Sequence, residues 1–183
     1  MLQSQRVTSL NEVIAETART RIRKLTPHDA PFVLAILNDP AFVEYVGDKN
    51  VRSLDDARHY IVTVPMASYE RYGFGHYLVE LRTTHVPIGL CSLVRRDWLD
   101  DVDIGFAFLA AYRRRGYAYE ASIAVLDCAR HTFGLARIVA IVHPTNAASI
   151  ALLEKLGFAH SRMTSAPGDS KQLAVFATSG ARV

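Results

Sequence analysis

Cysteine is nearly absent from this chain. The two it has, Cys91 and Cys128, lie inside apolar runs with no CxxC or metal-ligand spacing, so both read as buried free thiols of a reducing compartment and no disulfide is expected. Long apolar runs are also lacking: no stretch approaches the roughly 18 residues of a membrane span. Glu12 and Glu16 stand where a secretory signal needs an unbroken apolar core, so a cytoplasmic protein with no membrane partner is expected. No histidine pair has metal spacing and no Ser/His/Asp arrangement stands out, so no metal and no serine-hydrolase chemistry are expected. Charge of one sign is scarce, with 21 Lys and Arg against 18 Asp and Glu and a formal net charge of +3. That mild excess suits a small anionic ligand better than a long phosphate backbone. Only Arg113 to Arg115 cluster, and acids are interspersed elsewhere, so there is no basic stripe for nucleic acid.

Apolar side chains are plentiful: half of the 183 residues are hydrophobic, enough for the core of one domain and too short a chain for two comfortable ones. Repeats, linkers and low-complexity blocks are missing. Residues 1–18 read as a loose tail or short helix that Ser9 could cap, and residues 19–183 as one domain. "RTRIRKL" alternates like an edge strand, and "TPHDAPFVLAIL" follows as a helix with Thr26 as cap and a proline in the first turn. "NDPAFVEYVGDKNV" reads as a loop with aromatics. "SLDDARHYIVTV" reads as a second helix capped by Ser53, with Asp55 and Asp56 in the first turn.

From His76 to Phe108 the period changes to that of strands separated by short polar loops, which implies an antiparallel meander. A helix "GYAYEASIAVLDCARHTFG" and an apolar strand "LARIVAIV" come next, and strand, helix, strand in that order means a right-handed parallel crossover. "NAASIALLEKLG" reads as a further helix with Asn146 as cap and Gly157 past its end, and "FAHSRM" with "QLAVFAT" as a closing hairpin. The fold class is mixed α/β.

Between the last meander strand and the crossover helix lies "YRRRGYAYEA". Backbone N–H groups at a helix start lack partners and carry the positive end of the dipole, so this turn can hold an anion. Gly116 lets a phosphate approach the backbone, Ala118 stays small, and the arginines add charged donors.

Arg113-Arg114-Arg115-Gly116-Tyr117-Ala118 matches the R/Q-x-x-G-x-G/A signature of the GNAT superfamily of acyl-CoA-dependent N-acyltransferases, and "NAASIALLEKLGF" resembles that family's N-x-x-S/A helix followed by a glycine and an aromatic. Over residues 19 to 177 the chain resembles the branch that includes the Rim-type acetylases of ribosomal protein N-termini. The resemblance implies a central, mostly antiparallel sheet with one parallel β-α-β crossover and a splayed strand pair. It implies acetyl-CoA in that gap, its pantetheine arm on the backbone of Phe106, Ala107 and Phe108 and on Asn146. Its pyrophosphate would lie on Arg113, Arg114, Arg115, Gly116, Tyr117 and Ala118.

Direct transfer of an acyl group to an amine requires a proton acceptor for the amine, stabilisation of the oxyanion and a donor for the departing thiolate. Many relatives carry a tyrosine donor four residues before the glycine, where this chain has Leu153. Ser149 is then the candidate donor; alternatively, Asn146 caps the helix and Ser149 only satisfies its first turn. Asp103, on a face with Gly105 and Ala107, is the candidate base, unless it is simply paired with Arg95 or Arg96; Glu44 is a comparable candidate. His143 reads as structural. Glu44 and Tyr45, with Trp98 and Tyr69, are expected near the acceptor.

The resulting expectation is an acetyl-CoA-dependent N-acetyltransferase acting through a ternary complex on a primary amine, either a protein or peptide N-terminus or a small amine, as a monomer or homodimer. The alternative is an acyl-CoA-binding protein whose catalytic centre has decayed.

Overall fold

The structure is a computed structural model that describes residues 12–178. Ser9 and the first part of the expected tail lie outside the described residues. Val13–Glu16 is not tail or helix but strand β1, paired antiparallel with β2 (Thr20–Lys24). Helix α1 (Ala30–Leu37) follows a short 3-10 turn, and Asp29 at that turn accepts from the Thr26 backbone N–H at 2.8 Å while pairing with Arg23 at 2.8 Å. Arg23 also meets Glu80 at 3.0 Å, so a buried ion cluster stitches the start of α1 to the sheet.

The segment expected to be a plain loop contains a short helix, α2 (Pro40–Tyr45), because Asp39 accepts from the Ala41 N–H and Pro40 starts the turn. Helix α3 (Leu54–Ile61) begins as expected: Ser53 accepts from the Asp56 N–H at 3.1 Å and Asp56 accepts in return from that of Ser53 at 2.9 Å. It does not end there. Pro65 lacks the donor an α-turn needs, the chain widens into a π-turn over Val62–Met66, and helix α4 (Ala67–Tyr72) continues.

The meander is β3 (His76–Leu81), β4 (Pro87–Val94) and β5 (Val102–Phe108), followed by α5 (Tyr117–His131), β6 (Ile138–Val142), α6 (Ala147–Lys155), β7 (Ala159–Thr164) and β8 (Leu173–Ala177). They form one eight-stranded sheet in the order β1-β2-β3-β4-β5-β6-β8-β7, antiparallel except for β5 with β6. Strand alternation divides the core between the two faces. Tyr77, Val79, Cys91 and Leu93 pack with Ala121, Val125 and Leu126 of α5 and with Leu153 of α6, whereas Leu78 and Leu90 pack with α1 and α3.

The parallel pair is bonded only at its start, where Val102 faces Ile138 and Asp103 faces Val139. Beyond that point β5 stays with β4 and β6 with β8, and the two strands part. Asp103 sits at the fork: its Oδ1 accepts from the Ile141 N–H at 3.1 Å, so a side chain takes the position of the next ladder bond.

Candidate active site

Two cavities open on the fork. One, of about 360 Å³, lies over its root and is lined by Glu44, Tyr45, Arg96, Trp98, Asp103 and Ser149 among others. The other, of about 480 Å³, runs from Phe106, Ala107 and Phe108 to the mouth of α5. Tyr45, Val46, Phe106, Asn146 and Ser149 line both, so the cavities meet between β5 and the start of α6.

At the mouth, Gly116 precedes the first turn of α5 with φ +82° and Arg114 also takes a left-handed conformation, φ +59°. Among the described residues no backbone N–H from Arg114 to Tyr119 finds an acceptor, while the Gly116 carbonyl receives the Glu120 N–H at 3.0 Å. Arg113, Arg114, Gly116, Tyr117 and Ala118 face the cavity. Arg115 does not: left-handed turns on either side swing it away, and it is only its carbonyl that is engaged, by Arg19 Nη1 at 2.9 Å. Arg113 is already occupied, donating from Nε to the Phe108 carbonyl at 2.8 Å and pairing with Asp39. The Phe108 ring lies over Gly89, where an added Cβ would stand 2.4 Å from a ring carbon, so the end of β5 needs glycine beside it.

Asn146 caps α6, its Oδ1 accepting from the Ser149 N–H at 3.1 Å. The Ser149 hydroxyl has no partner among the described residues and faces both cavities. Leu153 is 1 % exposed, a wall residue of the smaller cavity.

Asp103 makes the ion pair with Arg96, at 2.9 Å, and also lines the cavity. With its side chain 3 % exposed, burial pushes the carboxyl up to about 6, against the pull of the Arg96 guanidinium. Glu44 is exposed at the rim and its carboxylate holds the Tyr45 hydroxyl above the usual phenol range. The Tyr45 ring lies 6.1 Å from that of His143, whose Nδ1 meets the Thr145 hydroxyl at 2.8 Å.

Trp98 is in the cavity wall, with Arg96 5.9 Å from its ring. Tyr69 is not: it stacks on Tyr77 in the core and accepts from the Leu25 N–H at 3.0 Å. Its helix extends past the π-turn and packs it there. The sequence reading misses Lys49 and Lys171 as wall residues and Arg19 behind the mouth, since none stands in a motif and only the folded chain brings them near. No group of three or more His, Cys, Asp or Glu that could hold a metal exists among the described residues, and none of their helices is long and apolar enough to cross a membrane.

Residues 19–159 match the family described as acetyltransferase (GNAT) domain. The N-acetyltransferase YoaA of Bacillus subtilis (strain 168), itself uncharacterised, is 31% identical over 151 residues, covering 79% of this chain and 82% of that one. In fold, the chain is similar to an acetyltransferase from Agrobacterium tumefaciens str. C58 (TM-score 0.76, 24% identity, covering 89% of this chain and 92% of that one). It is also similar in fold to a RimL ribosomal alpha-N-protein acetyltransferase in complex with Coenzyme A (TM-score 0.72, 15% identity, covering 91% and 97%). A fork in the sheet, an anion-ready helix mouth between its arms and a family match across most of the length lead to one conclusion: this chain is an acetyltransferase and belongs to the GNAT domain family.

Proposed function

We propose that the protein transfers an acetyl group from acetyl-CoA directly to a primary amine, that of a protein or peptide N-terminus or of a small molecule, with both substrates bound together. The observation that carries this reading is the meeting of two cavities at Ser149, one reaching the mouth of α5 and the other reaching Asp103. The unpartnered amides from Arg114 to Tyr119 and the guanidinium of Arg114 suit a pyrophosphate. The inner edge of β5 at Phe106 to Phe108, apart from the Phe108 carbonyl that Arg113 already holds, offers backbone groups to a pantetheine amide, and Asn146 stands at the junction.

Bound acetyl-CoA supplies an activated acyl thioester. Ser149, with its hydroxyl free, is the donor for the thiol end; its N–H is already spent on Asn146. Asp103 is the base. A carboxyl at about 6 is mostly ionised at neutral pH yet keeps more affinity for a proton than an exposed aspartate, which suits removal of a proton from an incoming ammonium. Glu44 and Tyr45 form the rim past which the amine enters. Two free thiols fit a reducing, cytoplasmic setting.

The test combines calorimetric titration with acetyl-CoA and thiol release over a panel of amines and N-terminal peptides. Ser149→Ala should lower kcat by about tenfold or more while changing coenzyme Kd by less than about threefold, since an interaction made with the leaving group acts on turnover. Coenzyme binding without thiol release above background, for every acceptor tried, would leave a binding protein with a decayed centre, in keeping with Leu153 at the place of the tyrosine donor. No coenzyme binding at all would end the proposal.

A further inference from the structure

Arg19 belongs to no motif, yet its side chain lies against the mouth of α5. It reaches there from the turn between β1 and β2. Its Nε donates to Glu120 Oε2 at 2.7 Å and its backbone N–H to Glu120 Oε1 at 2.8 Å, while Nη1 donates to the Arg115 carbonyl at 2.9 Å. Its guanidinium stacks 4.6 Å from the centroid of the Tyr117 ring. Thr17 bonds the same Glu120 carboxylate, so a second residue of the turn braces the contact. Arg19 is not among the cavity-lining residues, whereas Gly116 and Tyr117 are.

We propose that Arg19 is a positioning residue that locks the Arg115–Gly116 peptide so that the Gly116 N–H is held toward the coenzyme's pyrophosphate. This inference rests on the reading of the mouth as a pyrophosphate site. In a trans peptide the C=O and N–H point in opposite directions. Arg19 draws the Arg115 carbonyl to the side away from the cavity, so the Gly116 amide is turned to the cavity side. The lock is needed because Arg114 and Gly116 are both left-handed, and a non-glycine residue in that region persists only where its surroundings hold it. A lone Glu120 in the first turn would also compete with a phosphate for the helix dipole. Arg19 neutralises it, and Arg19 has three of its donors committed to Glu120 and Arg115.

The experiment is calorimetric titration of the full chain and of Arg19→Ala with CoA and with dephospho-CoA, which keeps the pyrophosphate but lacks the 3′-phosphate. Thermal unfolding checks that the variant is folded. Arg19→Ala should weaken CoA by about tenfold or more and dephospho-CoA by the same factor, and Arg19→Lys, a point charge without the fork, should restore less than half of that loss on a logarithmic scale. Should Arg19→Ala prove unstable, Arg19→Met, which keeps an apolar stem against Tyr117 but has no donor for the Arg115 carbonyl, should weaken both ligands by about threefold or more. Loss confined to CoA would mean contact with the 3′-phosphate, and unchanged affinity or full rescue by lysine would mean no orienting role; each overturns the proposal. Wild-type protein binding neither ligand would instead remove the pyrophosphate reading on which the proposal stands.

Discussion

Asp103 lies at the root of the fork and touches three things: Arg96, the Ile141 amide and the open cavity. The sequence allowed either a base or an ion-paired strand residue; the pair with Arg96 is made, and burial raises the carboxyl while Arg96 limits the rise to about 6. If Asp103 takes the amine's proton, kcat/KM should climb through an acid limb near pH 6, and Asp103→Asn should abolish that limb while lowering the plateau by about a hundredfold, the usual worth of a positioned base. A pH–rate profile with the limb intact in the variant would assign the base elsewhere, Glu44 being next. At Asn146 and Ser149 the helix cap is made, and the serine hydroxyl is left without a partner among the described residues. Arg115 could be read only as one of three equal arginines. Which of them faces the cavity depends on backbone handedness at Arg114 and Gly116, which no composition reveals.

The mouth of α5 and the parted end of β5 line one cavity. The meander, the crossover and the capped α6 were legible because each carries a local period and a terminal signal: alternation from His76 to Phe108, apolar spacing from Ala118 to Ala129, Asn146 before Ser149. Helix α2 and the run of helix through Pro65 were not, since a six-residue turn has little periodicity and proline argues against continuation. The strand at Val13–Glu16 was missed for a related reason: four residues gain their stability from β2 rather than from their own pattern. Gly89, hidden in an apolar strand, supports the site from beneath. Gly89→Ala should push the Phe108 ring, destabilise the fold by about 1–3 kcal/mol in urea titration, and weaken coenzyme binding through the Phe108 carbonyl that Arg113 holds. Stability equal to wild type would show that the ring moves freely.

Across the molecule, buried Asp103 and half-buried His76 set opposing pH dependences. Asp103, at about 6 when folded against about 3.9 unfolded, binds more proton in the native state, so its contribution to stability falls as pH rises from about 4 to about 6. His76 runs the other way. Burial first, then Arg96 and Lys49, push it down to about 4 from about 6.5, so the native state holds fewer protons and stability is lost as pH falls through that window. Removing one exposes the other. Between pH 6.5 and 4.5, unfolding free energies from urea titration should drop more steeply for Asp103→Asn than for wild type and less steeply for His76→Gln, and parallel slopes in all three would mean that neither group titrates as its burial implies.

Local chemistry settled the order of elements from β3 to β8 and the helix mouth after the three arginines, because caps, periods and a glycine beside arginines act over a few neighbouring residues. Folding alone decided that β5 and β6 part after two residue pairs, that two cavities join at Ser149, and that Arg19 stands behind Arg115. Those facts depend on contacts between segments far apart in the chain, such as Arg19 with Glu120 and Asp103 with Ile141, whose partners no single stretch of sequence names.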